Sequence, residues 1–218
     1  MLRHLIAPIA VLAALAGPVS ATEEPIFPML YNVHEVAEDD VLNIRAEPNT
    51  KSEIIGTLDH DATNVEVVEE RDGWGRVNSG EGSGWVSMRF MAYPFNPWQE
   101  NGTPELMRCF GTEPFWHAAV DLPAKEIRLV NLAEGEVVDV QTVTDVIPGP
   151  YRTPTRAILA NDFTLMTTPA QCSDGMSDQL YGMAAYLITD QATEGATPRM
   201  LNGCCSVTHT LTEQQPEQ

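Results

Sequence analysis

The residues of this chain best placed to do chemistry are its four cysteines, Cys109, Cys172, Cys204 and Cys205. A thiol–disulfide catalyst carries Cys-x-x-Cys at a helix start, where the helix dipole lowers one thiol's pKa. That motif does not occur. Structural zinc uses paired C-x2-C spacings, which are also missing. An even cysteine count reads instead as disulfides formed in an oxidising compartment. Four cysteines allow three pairings. A bond between Cys204 and Cys205 is strained, because neighbouring Cα atoms lie about 3.8 Å apart and disulfides prefer about 5.5–6 Å. Cys109 and Cys172 are therefore each left to reach one member of the pair. On a strand, adjacent side chains point to opposite faces, so one bond would lie inside and one outside.

Other reactive patterns are weak. His34, His60, His117 and His209 are scattered, with no H-x3-H or H-E-x-x-H spacing. No G-x-S-x-G elbow, S-x-x-K with K-T-G, or Gly-rich phosphate loop occurs. No catalytic residue, metal or cofactor is expected. Glu113 precedes Pro114-Phe115-Trp116 and reads as a turn cap or ion-pair partner; a carboxylate beside aromatics can also have a raised pKa. Asp174-Gly175 reads as a turn. Aromatic side chains are the stronger lead. Tyr31, Trp74, Trp85 and Tyr93 are candidate ligand contacts, suited to peptide stems or sugar rings. Arg45 is the nearby cation that could meet a carboxylate. Trp74 and Trp85 read equally well as the core of a small barrel.

These residues sit on short strands. From Val41 to Val86, apolar runs alternate with polar residues and are broken by Gly, Asn, Asp and Pro. Leu42 and Ile44 form one core face, Ile54, Ile55 and Leu58 fill the middle, and Val65 and Val67 alternate with Glu66. Asp72-Gly73 signals a hairpin. Residues 79–84, S-G-E-G-S-G, read as a second, flexible turn. Pro94 to Pro104 reads as a linker from its Pro, Asn and Gly content. Beyond it, strands are expected at Phe115–Val120, Ile127–Val130, Val137–Ile147, Arg156–Leu159, Phe163–Thr167, Tyr181–Thr189 and Val207–Leu211. About seven strands suggest a closed or nearly closed antiparallel barrel.

The V-L-N-I-R, I-I-G-T-L, V-E-V-V-E-E, W-G-R-V and G-W-V blocks resemble the bacterial SH3 domain. That resemblance implies a small binding or adaptor barrel in an exported, wall-associated protein. Three later blocks are Cys109-Phe-Gly-Thr-Glu-Pro-Phe-Trp116, Cys172-Ser-Asp-Gly-Met-Ser-Asp178 and Gly203-Cys-Cys205. They resemble a family of small exported, often lipid-anchored bacterial proteins with no assigned activity. This second resemblance implies the pairing Cys172–Cys204 and Cys109–Cys205.

The ends and the charge bound the rest. Arg3 and His4, the apolar Leu5–Leu15, and Val19-Ser20-Ala21 read as an export signal cleaved after Ala21. No later segment is apolar enough to span a bilayer. A formal charge of −19 disfavours nucleic acid, whose phosphates need clustered Lys and Arg. At 43% hydrophobic residues the chain has ample material for folded cores.

The expected organisation is all-β: a signal over 1–21, an SH3-like barrel over 30–93, a linker over 94–104, a disulfide-containing β domain over 105–212 and a disordered tail over 213–218. The first domain is expected to fold alone. The expected role is a periplasmic or secreted adaptor, not an enzyme, that binds a cell-wall peptide or an envelope protein. Its binding would rest on aromatic contact, because no basic patch is read near this domain. The alternatives are an inhibitor or protector against wall-cleaving enzymes, recognised by a protruding rigid loop at 174–178, and an enzyme without a motif, recognised by a buried Glu113 or His117 lining a deep pocket.

Overall fold

A computed structural model describes residues 26–94, 96–98, 102–131, 136–150, 153–189 and 198–211. The expected signal and tail lie outside these residues. Among those described, every regular element is a strand except one 3-10 turn, Met88–Phe90, and no helix is long and apolar enough to cross a membrane.

The N-terminal unit contains β1 (Met29–Val33), β2 (Val41–Arg45), β3 (Ile54–Asp59), β4 (Val65–Val67), β5 (Glu69–Arg71), β6 (Trp74–Ser79), β7 (Gly82–Ser87) and β8 (Met91–Ala92). One sheet has the order β4-β1-β8 and the other β3-β2-β7-β6-β5. The chain passes between them at Val68, whose N–H bonds the Arg76 carbonyl. Side chains alternate along each strand, so Leu30, Ile44, Val67, Val77 and Val86 meet between the sheets and are buried. The turn before β6 places both Asp72 and Gly73 at positive φ, as a tight two-residue hairpin demands. One expectation fails here. Ile54 and Ile55 are exposed, not central, because β3 is the edge of its sheet.

The C-terminal unit contains β9 (Leu106–Thr112), β10 (Phe115–Asp121), β11 (Glu126–Asn131), β12 (Glu136–Thr142), β13 (Asp145–Pro148), β14 (Arg156–Leu159), β15 (Phe163–Cys172), β16 (Tyr181–Thr189) and β17 (Arg199–Thr208). All pair antiparallel in the order β12-β11-β10-β9-β17-β16-β15-β14-β13. The two edge strands, β12 and β13, are consecutive in the chain and joined only by Val143 and Thr144. Two residues bridge about 10 Å at most. The sheet must therefore curl until its edges meet at that corner. Val143 N–H bonds the Lys125 carbonyl on one side, and Thr144 N–H the Leu159 carbonyl on the other. The result is a curled half-barrel.

Three strand expectations change. Residues 137–147 form two strands at opposite edges, and the Val143-Thr144 corner between them carries no Gly or Pro to mark it in the sequence. The last strand starts at Arg199. β9 was not expected; its inward residues are Met107, Cys109 and Gly111, and the glycine blunts the alternation. That glycine has a use. A Cβ at Gly111 would strike the Trp116 indole, and one at Gly203 would strike the Phe110 carbonyl. The two glycines open a notch for Trp116, whose Nε1–H reaches the Asn202 carbonyl at 3.2 Å.

The disulfides join Cys109 to Cys205 and Cys172 to Cys204, the pairing the second resemblance implied. Cys204 and Cys205 are neighbours on β17 and face opposite ways. Cys109–Cys205 lies fully buried across the β9–β17 ladder, while Cys172 on the other face keeps some exposure.

The two units pack along a seam. Trp98, within the expected linker, is buried and donates its indole N–H to the Pro28 carbonyl at 3.0 Å. The β6–β7 hairpin, expected to be flexible, is tied down: Asn78 exchanges two hydrogen bonds with Leu180, and Asp178 N–H bonds the Glu81 carbonyl. Glu66 on β4 accepts the Val207 N–H of β17 at 2.7 Å. The Glu66 residue as a whole keeps partial exposure, yet its carboxylate is enclosed in the seam. Desolvation raises its pKa from 4.5 to about 7, against the lowering effect of the Val207 and Ser206 hydrogen bonds.

That shift has a definite sign. Below about pH 4.5 both folded and unfolded chains hold the Glu66 proton, and between 4.5 and 7 only the folded chain does. The contribution is therefore fully present at low pH and is lost as pH rises through 7. After a discount for partial exposure it amounts to about 1–2 kcal/mol. Urea unfolding of the wild type and Glu66→Gln at pH 5 and pH 8 checks this. The glutamine variant should gain stability relative to wild type at pH 8, and an equal difference at both pH values contradicts it.

Candidate functional site

The outer face of the β2-β7-β6-β5 sheet is built by cross-strand register. Arg45, Trp85, Arg76 and Glu69 stand in one row on four neighbouring strands. Trp85 is buried, yet it is not between the sheets. It lies beneath the Arg71 and Arg76 guanidiniums, 5.0 and 5.5 Å from its ring centroid. Glu69 bonds Arg71 at 2.7 Å and lies 3.9 Å from Arg76, so one carboxylate offsets part of the charge of the two guanidiniums. The absence of a basic patch read from the sequence is corrected here. Residues far apart in the chain become neighbours because strand alternation sends them to one face.

Beside this row opens a groove of about 590 Å³. Trp74 and Arg45 line it, together with Arg89 and Phe90 from the 3-10 turn and Glu35 and Asp40 from the loop before β2. The Arg45 guanidinium is held by a 2.7 Å bond to the Ser52 carbonyl. Arg89 is exposed and sits 5.4 Å over the Phe90 ring. The groove thus offers an indole, two guanidiniums and two carboxylates. That set suits a zwitterionic peptide, whose carboxylate can take a forked guanidinium contact.

Residues 40–92 match the family model of the bacterial SH3 domain. This unit is a bacterial SH3 domain. No curated protein and no solved structure matches the chain. The match gives the domain a binding role. It starts after β1, although β1 pairs with both β4 and β8 and completes the barrel.

Of the five candidate contacts, the SH3 groove gathers Arg45 and Trp74. Tyr31 and Trp85 are buried and offer no face to a ligand. Tyr93 is 46% exposed, but it packs on Tyr31 at 5.8 Å and is not among the groove's lining residues. Sequence reasoning missed Arg89, Glu35 and Asp40. The signal for Arg89 was its position just after Trp85-Val86, inside the matched region.

In the C-terminal unit, Glu113 is exposed, and His117 is half-buried against Phe110 at 6.2 Å. Burial lowers the His117 pKa, and Arg108 adds to that. Tyr181 is pushed up to about 12 by burial and by the carboxylates of Asp174, Glu66 and Glu81. The loop at 174–178 is held rigidly: Asp174 Oδ1 accepts the N–H groups of Met176 and Ser177, each at 2.9 Å. It does not protrude freely, because Asp178 and Gln179 also bond the SH3 hairpin at Glu81 and Gly80.

Proposed function

We propose that this is an exported adaptor of the bacterial envelope whose SH3 domain binds a peptide carrying a free carboxylate, from a wall stem or an envelope protein, and that it is not an enzyme. The observation that carries this reading is the convergence of Trp74, Arg45 and Arg89 on one open groove of the SH3 domain. The indole covers an apolar part of the peptide, and the guanidiniums take its carboxylate. Export to the periplasm or beyond follows from the basic, apolar and small-residue pattern of residues 1–21. The two disulfides support a non-cytoplasmic compartment.

The test is sedimentation with purified peptidoglycan and titration with stem peptides. Trp74→Ala should weaken binding by about 1–3 kcal/mol, the range for an interface aromatic, without unfolding the domain. Arg45→Ala and Arg89→Ala should each weaken the carboxylate-bearing peptide more than its amide. Retained affinity in Trp74→Ala removes the groove from the reading. Failure to bind wall, stem peptide or any protein of an envelope extract removes the adaptor.

A further inference from the structure

The three C-terminal sequence blocks, separated in the chain, meet at one place. Thr112, Glu113 and Phe115 from the β9–β10 turn, Asp174 and Met176 from the loop after β15, and Asn202 from β17 line a second groove of about 520 Å³. Its walls are fixed from three sides. The Cys172–Cys204 bond fastens the loop to β17, Thr112 Oγ1 donates to the Asp174 carbonyl at 3.0 Å, and the hairpin bonds from Gly80 and Glu81 hold the loop's far end.

Two large apolar side chains are left in water here. Phe115 is 63% exposed and Met176 68%. They share the groove with the carboxylates of Glu113 and Asp174, and among the described residues no lysine or arginine lines it. Desolvation pushes the Asp174 carboxyl up, but the N–H groups of Ser177 and Met176 and the Ser177 hydroxyl outweigh it and hold it ionised. An aromatic face, a thioether and carboxylates without a cation form the complement of a long basic side chain. The aliphatic stem lies on the apolar pair and the cation meets the ring face and the carboxylate. A second copy of this chain is a poor occupant, because each carries a formal charge of −19.

We infer that this groove is a second docking site, distinct from the SH3 groove, that takes an exposed lysine or arginine side chain flanked by apolar residues on a partner protein. The SH3 domain recognises one element, and the C-terminal unit a basic, apolar-flanked loop.

The probe is the peptide acetyl-Leu-Lys-Leu-amide, with norleucine replacing lysine as the neutral control. Each is titrated into the oxidised two-domain protein and followed by amide NMR. The lysine peptide should shift Thr112, Gly175, Met176 and Asn202 and leave Arg45 and Trp74 unmoved. The norleucine peptide should bind about threefold to tenfold more weakly, the range for a part-exposed ion pair with a cation–π contact. Glu113→Gln should bring the lysine peptide down toward that level. Met176→Ser, at the exposed loop tip, should weaken both peptides. Equal binding of the two peptides, an unchanged titration in Glu113→Gln, or shifts confined to the SH3 groove would overturn the inference. The first two outcomes leave the SH3 reading untouched, because that reading is tested by the Trp74, Arg45 and Arg89 variants on a separate groove.

Discussion

Replacing Cys109 and Cys205 together by alanine should destabilise the protein by about 4–5 kcal/mol, and replacing Cys172 and Cys204 by about 3–4 kcal/mol. The difference follows from chain entropy. The first bond closes a loop with a sequence separation of 96, the second one of 32. The longer loop removes more freedom from the unfolded chain. Burial adds to the contrast. Cys109 and Cys205 are both fully buried beside Met107, Val207 and Met183, so alanines there also leave a void. Cys172 is partly exposed, and its surroundings can collapse more easily. Urea unfolding of the two double variants against the oxidised wild type decides it. An equal or smaller cost for the Cys109–Cys205 pair would show that the inner bond is not the main staple. Alkylation of the unreduced protein should label no cysteine, since none is free.

What was legible in the sequence was local. Leu42 and Ile44 announced a core face by alternation, and Asp72-Gly73 announced its hairpin. Ile54 and Ile55 were misjudged because hydrophobicity says nothing about whether a strand is central or at an edge. The Val143-Thr144 corner was invisible for a related reason: β-branched residues carry no turn signal, and the reversal is imposed by curling of the sheet. The SH3 groove was half legible. Arg45 and Trp74 stood out, whereas Glu35, Asp40 and Arg89 come from the loop before β2 and the turn after β7, and only the fold brings them together. The second groove had the opposite history. Its three blocks were conspicuous, but their meeting depends on the β9–β17 register and on the Cys172–Cys204 bond.

Trp98→Ala should cost about 3–5 kcal/mol, the range for a buried tryptophan, and both units should lose stability together. The Pro- and Asn-rich composition of residues 94–104 reads as a spacer, and a spacer side chain would be dispensable. In the structure the Trp98 indole is only 8% exposed and belongs to the same apolar cluster as Leu30 and Val86 of the SH3 barrel and Met107 and Val120 of the half-barrel. Its N–H satisfies the Pro28 carbonyl, and the Pro28 ring fills the space left by Gly182 on β16, where a Cβ would collide with it. Truncation therefore opens a cavity and removes a donor at the point where the N-terminal segment rests on the half-barrel. An SH3 unit expressed alone would likewise lose the covering of β17 and the partners of Glu66 and Asn78. Native-state hydrogen exchange at Val77 and Ala118, one buried position in each unit, separates the possibilities. Equal loss of protection at both means that the seam couples them. No loss at either would restore the linker to a spacer, and loss at Ala118 alone would return the SH3 barrel to independence.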